Sequence, residues 1–141
     1  MFEKDTDQLF TELKIKSDIE KFIVDNQSEF TLPLHKYLNE LLQKKKLSKS
    51  EIIHSLNFDK KYAYHIFSGV KKPSRKKLLA IARALNLTLE ETQYLLRYGG
   101  YAVLYPRDPF DAVIISAIEQ NLTPVETDRY LEQLGELTLS D

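Results

Sequence analysis

The sequence predicts an all-α fold, and three observations carry that prediction. Apolar residues recur three and four positions apart rather than two. Only 4 Gly and 5 Pro punctuate the 141 residues. Three times the chain reads Leu, then Ser or Thr, then two residues, then Glu: Leu47-Ser48 with Glu51, Leu87-Thr88 with Glu91, and Leu122-Thr123 with Glu126. Each is the pattern of a capping box, in which the hydroxyl accepts from the third helical N–H and the Glu side chain reaches back to the cap residue's own N–H.

The elements follow in order. A short amphipathic stretch covers about Thr6 to Leu13, with Leu9, Phe10 and Leu13 on one side; a second covers about Ser17 to Asp25, with Ile19, Phe22 and Ile23. Pro33 suits the first turn of a longer helix to about Lys45, whose Leu34, Tyr37, Leu38, Leu41 and Leu42 form one apolar stripe. The pattern at Ser48 opens a short helix with Ile52, Ile53 and Leu56 inward, and Asn57-Phe58-Asp59 makes a turn. Asp59 caps a second short helix from Lys60 to about Ser68, which Gly69 ends. Further helices are expected from Ser74 to Leu85, from Thr88, from about Pro109 to Gln120, and from Thr123. Asn86 to Gly100 and Asn121 to Gly135 agree at seven of fifteen positions, the mark either of a duplicated αα-hairpin or of convergence on good helix-start chemistry. The expected organisation is an N-terminal helical extension (1–32), a central domain (33–100) and a C-terminal helical hairpin packed on it (101–141).

Composition narrows the function. At 43% hydrophobic and 29% charged, the chain reads as soluble and globular. With no Cys, disulfides and thiolate-bound zinc are excluded. No apolar run approaches the roughly 20 residues a bilayer core requires, and two acids within Met1 to Asp5 argue against a secretory signal. A cytoplasmic protein without membrane contact is expected. His35, His54 and His65 lie at no metal-ligand spacing, and the chain has no Gly-rich phosphate loop, nucleophile elbow or Ser/His/Asp arrangement. Neither enzymatic activity nor a metal or other cofactor is expected.

Charge is distributed unevenly. Met1 to Gln43 carries a net −4 and Leu78 to Asp141 a net −6, whereas Lys44 to Lys77 holds 11 Lys or Arg against only Glu51 and Asp59. A basic block between acidic flanks is the electrostatic footprint of a polyanion partner. It coincides with two short helices joined by a tight turn, a helix-turn-helix pattern. In the second of these helices Ala63, Ile66 and Phe67 share one face, which leaves Lys60, Lys61, Tyr64, His65 and Ser68 on the other. Long donors and an aromatic without an acid suit base edges and phosphates in a major groove. The loop Val70-Lys71-Lys72-Pro73-Ser74-Arg75 that follows is basic.

With Ser68-Gly69 near the helix end, Lys72-Pro73-Ser74 in the loop and a Leu-Ala-Ala-Leu pattern in the next helix, Leu34 to about Leu96 resembles the helix-turn-helix domain of the Cro/CI (XRE) family of bacterial and phage regulators. That resemblance implies a five-helix, lambda-repressor-like domain that binds double-stranded DNA, with the 60–68 helix in the major groove. It implies base reading by Lys60, Lys61 and His65, to which the outer face adds Tyr64. Phosphate contacts are implied for Lys49, where the family has a clamping Gln, and for Ser68, Lys71, Lys72 and Arg75, to which the basic run adds Lys76. At the turn, Asn57 replaces the family's Gly and is the next best residue for a left-handed backbone. Ile53 and Ala63 exchange the sizes the family uses where the two helices touch, conserving volume. Phe67 replaces a frequent Glu.

Four of the eight tyrosines fall between Tyr94 and Tyr105. They pack under the last hairpin or form an interface, since a tyrosine ring buries area while its hydroxyl stays wet. On the second reading a homodimer forms away from the DNA side through Tyr94, Tyr98, Tyr101, Tyr105, Leu131 and Leu134. The leading expectation is a sequence-specific, dimeric transcriptional regulator. A protein-interaction module, antitoxin-like or adaptor, that retains the fold is the alternative.

Overall fold

The structure is a computed structural model that describes residues 3–15, 19–26 and 33–140. Its helices are α1 (Thr6–Ile15), α2 (Ile19–Asp25), α3 (Leu34–Lys44), α4 (Lys49–Ser55), α5 (Lys60–Ser68), α6 (Arg75–Ala84), α7 (Leu89–Tyr98), α8 (Pro109–Glu119) and α9 (Pro124–Gln133). No strand occurs among the described residues. Ser17, the expected start of the second helix, lies outside them.

The chain divides into two units, Met1–Leu32 and Pro33–Asp141. In the first, α1 begins with a reciprocal cap: Asp5 Oδ1 accepts from the Gln8 N–H at 2.7 Å, and Gln8 Oε1 accepts from the Asp5 N–H at 2.8 Å. The buried Asn26 ties α2 to what precedes it, since its Oδ1 accepts from Lys4 Nζ at 2.6 Å and its Nδ2 donates to Glu12 Oε2 at 2.9 Å.

The second unit is organised around α6. Every residue from Leu78 to Arg83 is buried, so this stretch of α6 is enclosed on all sides and sits in the middle of the core. Leu38, Leu41 and Leu42 of α3, Ile52 and Ile53 of α4, and Ala63, Ile66 and Phe67 of α5 pack into one cluster with Leu95 and Leu96 of α7, Ile114 of α8 and Leu131 of α9. The C-terminal hairpin therefore shares the core of the helix-turn-helix segment. Two connections reinforce this. Arg75 forks onto Asp111 with both N···O distances at 2.9 Å, and the Asn57 amide bonds to Asp128, whose other oxygen accepts from the Leu139 N–H at 2.6 Å.

Helix ends explain the repeated sequence pattern. Asn86 and Asn121 have φ of 51° and 56°, and Gly100 and Gly135 have φ of 81° and 76°, so the matching residues are left-handed helix stops. The Leu that follows each Asn donates five residues back, Leu87 to Ala82 O and Leu122 to Ala117 O, both at 3.0 Å. Thr88 and Thr123 then open the next helices with complete capping boxes. At Ser48 only the forward bond forms, from the Glu51 N–H at 3.3 Å.

Lys46 and Gly69 are also left-handed, so six of the seven helices of this unit end that way. The exception is α4, and it corrects the expectation for the turn. Asn57 is not left-handed, and α4 stops instead at an extended Leu56 (φ −78°, ψ 147°). Lys60, the first residue of α5, takes over the orphaned carbonyls.

Candidate nucleic-acid interface

The geometry of α5 follows from its ends and its inner face. Asp59 Oδ2 accepts from the Tyr62 N–H at 3.1 Å and starts the helix. Gly69 stops it at φ 86°, and a Cβ there would lie 2.7 Å from His35 Nδ1, so both backbone and space require glycine. Ala63, Ile66 and Phe67 are buried, and Asn39 of α3 pins the helix end by donating to the Phe67 carbonyl at 2.9 Å. Across α4 and α5 the expected size exchange holds, with Ile53 and Ala63 both fully buried. What remains outward is Lys61, exposed; Tyr64, 42% exposed; His65, half-buried; and Ser68, exposed, whose hydroxyl donates to the His65 carbonyl at 3.2 Å. No acidic side chain occurs between Lys60 and Ser68.

Lys60 does not join that row. Its ammonium donates to the carbonyls of Ile53 at 3.2 Å, His54 at 3.2 Å and Leu56 at 2.7 Å, which engages all three of its N–H groups. A cation at the carboxyl end of a helix also meets the negative end of its dipole. Lys60 thus closes α4 where a left-handed residue would otherwise do so.

The cations after α5 divide similarly. Lys71 is exposed. Lys72 Nζ lies 5.0 Å over the Tyr101 ring, Lys76 Nζ 5.6 Å over Phe110, and Lys77 Nζ 5.1 and 5.5 Å from Phe58 and Tyr62. Arg75 uses four of its five N–H donors: besides the two bonds to Asp111, its Nε donates to Ala102 O at 3.0 Å and Nη2 to Val103 O at 3.2 Å. Its guanidinium ties the start of α6 to the C-terminal hairpin. Before α5, Lys49 Nζ lies 5.9 Å over the Phe67 ring, which brings the amino end of α4 beside the carboxyl end of α5. The loop is fixed to α5 by the Tyr62 hydroxyl, 3.3 Å from the Lys72 carbonyl. Of the basic residues in Lys44–Lys77, only Lys45 (with Glu91, 3.2 Å) and Arg75 pair with a carboxylate.

The tyrosines pack largely within the chain. Tyr98 stacks on Tyr37 of α3, centroids 4.2 Å apart at 13°, and Tyr94 lies 5.7 Å from Tyr37. Burial first, then the neighbouring Tyr94 and Tyr98, push the Tyr37 hydroxyl up to about 12. The Tyr101 hydroxyl donates to the Pro73 carbonyl at 2.5 Å. Leu131 is wholly enclosed in the core and has no surface to offer a second chain, a correction to its expected place in a dimer contact. Tyr105 and Leu134 do face outward, more than half exposed.

Two short helices, a four-residue turn and an outer row of donors on the second helix make a helix-turn-helix. The family model described as Helix-turn-helix matches residues 38–91, from the buried middle of α3 into the first turn of α7. The resemblance to the Cro/CI family read from the sequence stands on this match: residues 38–91 form a helix-turn-helix domain, the fold of a DNA-binding regulator. The match covers less than half of the chain and leaves out both α1–α2 and α8–α9. Comparison with curated proteins gives no match, and neither does comparison with solved structures. No helix among the described residues is long and apolar enough to cross a membrane.

Proposed function

We propose that this protein is a sequence-specific regulator that binds double-stranded DNA with α5 in the major groove. The observation that carries the reading is the outer row of α5. Lys61, Tyr64 and His65 present donors and a ring, while the inner face of the same helix is locked in the core. These three are assigned to base edges. Lys49, Ser68, Lys71, Lys72 and Lys76 flank the row and are assigned to phosphates, which position the protein without reading sequence. Lys60 and Arg75 are assigned to shaping the domain.

A homodimer is part of the proposal, because a two-fold pair sets two recognition helices about 34 Å apart, on successive turns of the major groove. Its contact uses Tyr105 and Leu134 together with Val125 and Leu137, which are also exposed. Because the C-terminal hairpin shares the core, its removal would not test this contact cleanly. Sedimentation equilibrium of the full chain against Leu134→Asp does; a full chain that stays monomeric removes the dimer.

Selection of bound sites from random duplex DNA tests the reading as a whole. One preferred motif should emerge, and log K should fall against log salt with a slope of about −4 to −5 per protomer for roughly five phosphate contacts. Absent or salt-independent binding would favour the protein-interaction reading. That second reading draws on Phe10, Leu13, Ile19, Ile23 and Val24, an unusually apolar exposed set on α1 and α2.

A further inference from the structure

Arg83 is the strongest unexplained feature of the molecule. It lies on α6 with 2% of its surface exposed, and no carboxylate among the described residues pairs with it. Its Nη1 donates to the Leu122 carbonyl at 3.1 Å and its Nη2 to the Leu87 carbonyl at 2.6 Å. Leu87 and Leu122 are corresponding positions of the two sequence copies, so one guanidinium bridges the two equivalent turns. A guanidinium has five N–H donors, and these bonds use two. The Nε–H is buried without an acceptor. Burial also pulls the Arg83 pKa below its ordinary value, the response of a desolvated cation that lacks a counter-charge.

Arg83 lines a cavity of about 230 Å³ whose other polar walls are Ser55, Asn86, Asn121 and Thr123, with no acid among the lining residues. At about 30 Å³ per water, the volume suits a small solute and falls short of a drug-sized ligand. Of the polar side chains in the lining the Asn86 and Asn121 amides are free to donate, whereas the Ser55 hydroxyl is already given to the Ile52 carbonyl at 2.6 Å and the amino end of α9 is met by its own capping box, Glu126 Oε1 accepting from the Thr123 N–H at 3.0 Å. Planar oxyanions are what a guanidinium fork binds best.

We propose that this cavity binds a small oxyanion, a phosphate or carboxylate group on a low-molecular-weight effector, with Arg83 supplying the charge and Asn86 and Asn121 the flanking donors. Ser55 is the last residue of α4, so the occupant touches the first helix of the helix-turn-helix. The proposal goes beyond the DNA-binding reading and does not depend on it.

The test is a ¹H–¹⁵N spectrum of the full chain, titrated separately with inorganic phosphate and with succinate, chloride holding the ionic strength constant. Saturable shifts are expected at Ser55, at 83–87, at 121–126 and at the Arg83 Nε–H. Saturation by phosphate alone assigns a phosphate group, and by succinate alone a carboxylate; either supports the site. Asn121→Asp places a negative charge in the lining without removing an Arg83 bond, and should weaken the anion at least tenfold. Ser55→Asp, at an exposed position, serves as a second variant should the first not fold. Non-saturating shifts, an unchanged midpoint in the folded variant, or shifts centred on Lys61, Lys71 and Lys72 would overturn the proposal. So would a short duplex moving the cavity resonances, since the anion would then be a DNA phosphate. Failure here leaves site selection by α5 untouched.

Discussion

The outer row of α5 and the segment from Gly69 to Lys77 are both rich in cations, yet the structure uses them differently. On α5, Lys61 stands free while Lys60 turns back to cap α4. In the later segment, Arg75 is locked to Asp111, and Lys72, Lys76 and Lys77 rest on aromatic rings. A lysine over a ring keeps its charge and much of its reach, whereas an arginine forked onto a buried carboxylate has neither to give. A basic block is therefore a footprint only after the cations that hold the fold have been subtracted.

The sharpest way to break this comparison is at Arg75. Removing one partner of a buried ion pair strands the other, so Arg75→Ala or Asp111→Ala should cost about 3 kcal/mol in urea unfolding. Wild-type stability in Arg75→Ala would return that residue to the phosphate contacts. Next in size is Lys60→Ala, expected to lose about 2 kcal/mol of stability, because three helix-end carbonyls lose a charged donor. Site selection with the folded variant should recover the same motif; an altered base preference would place Lys60 back among the reading residues.

Lys61→Ala and Lys71→Ala sharpen the comparison from the other side. Both should leave stability within about 0.5 kcal/mol, as exposed substitutions do. Lys61→Ala should cost on the order of 1.5 kcal/mol on the preferred duplex and relax choice at particular base pairs, while Lys71→Ala weakens all duplexes alike. The salt slope should become shallower by about 0.9 for Lys71→Ala. Equal losses of both variants on cognate and random duplex would mean that Lys61 reads no base.

The smallest effect concerns Tyr37. An unfolded tyrosine releases its proton near pH 10, whereas folded Tyr37 holds its own to about 12. Between those values the unfolded state binds fewer protons, so stability falls as pH rises from 10 towards 12, and the contribution is complete below 10. Tyrosinate absorbance should show a late-titrating phase that Tyr37→Phe diminishes, Tyr94 being raised by burial as well; an unchanged late phase would place it elsewhere.

Much of this was legible in the chain. The three capping patterns mark real helix starts, the Asn and Gly of the repeat mark real stops, and Ala63, Ile66 and Phe67 face the core as their spacing requires. Lys61, Tyr64 and Ser68 lie outward for the same reason. Other contacts carry no local signature: Arg75 meets Asp111, 36 positions on, Asn57 meets Asp128, 71 positions on, and Leu131 joins the core of the earlier helices, while Lys60 turns back on carbonyls 4 to 7 residues before it.

Helix periodicity and capping are local: they depend on side chains within four residues of one another, so the sequence alone determines the helices, the ends marked by caps and left-handed stops, and the face each turns inward, while the end of α4 at Leu56 escaped it. Which cation remains free is decided over distances that only the folded chain closes. Asp111 reaches Arg75 because α8 packs beside the start of α6, and Arg83 lacks a counter-charge because the two turns that enclose it present carbonyls rather than carboxylates. The helix-turn-helix was written in local pattern; which of its charges hold the fold and which stay unpaired was decided by tertiary packing, since a long side chain takes whatever acceptor the fold brings within reach.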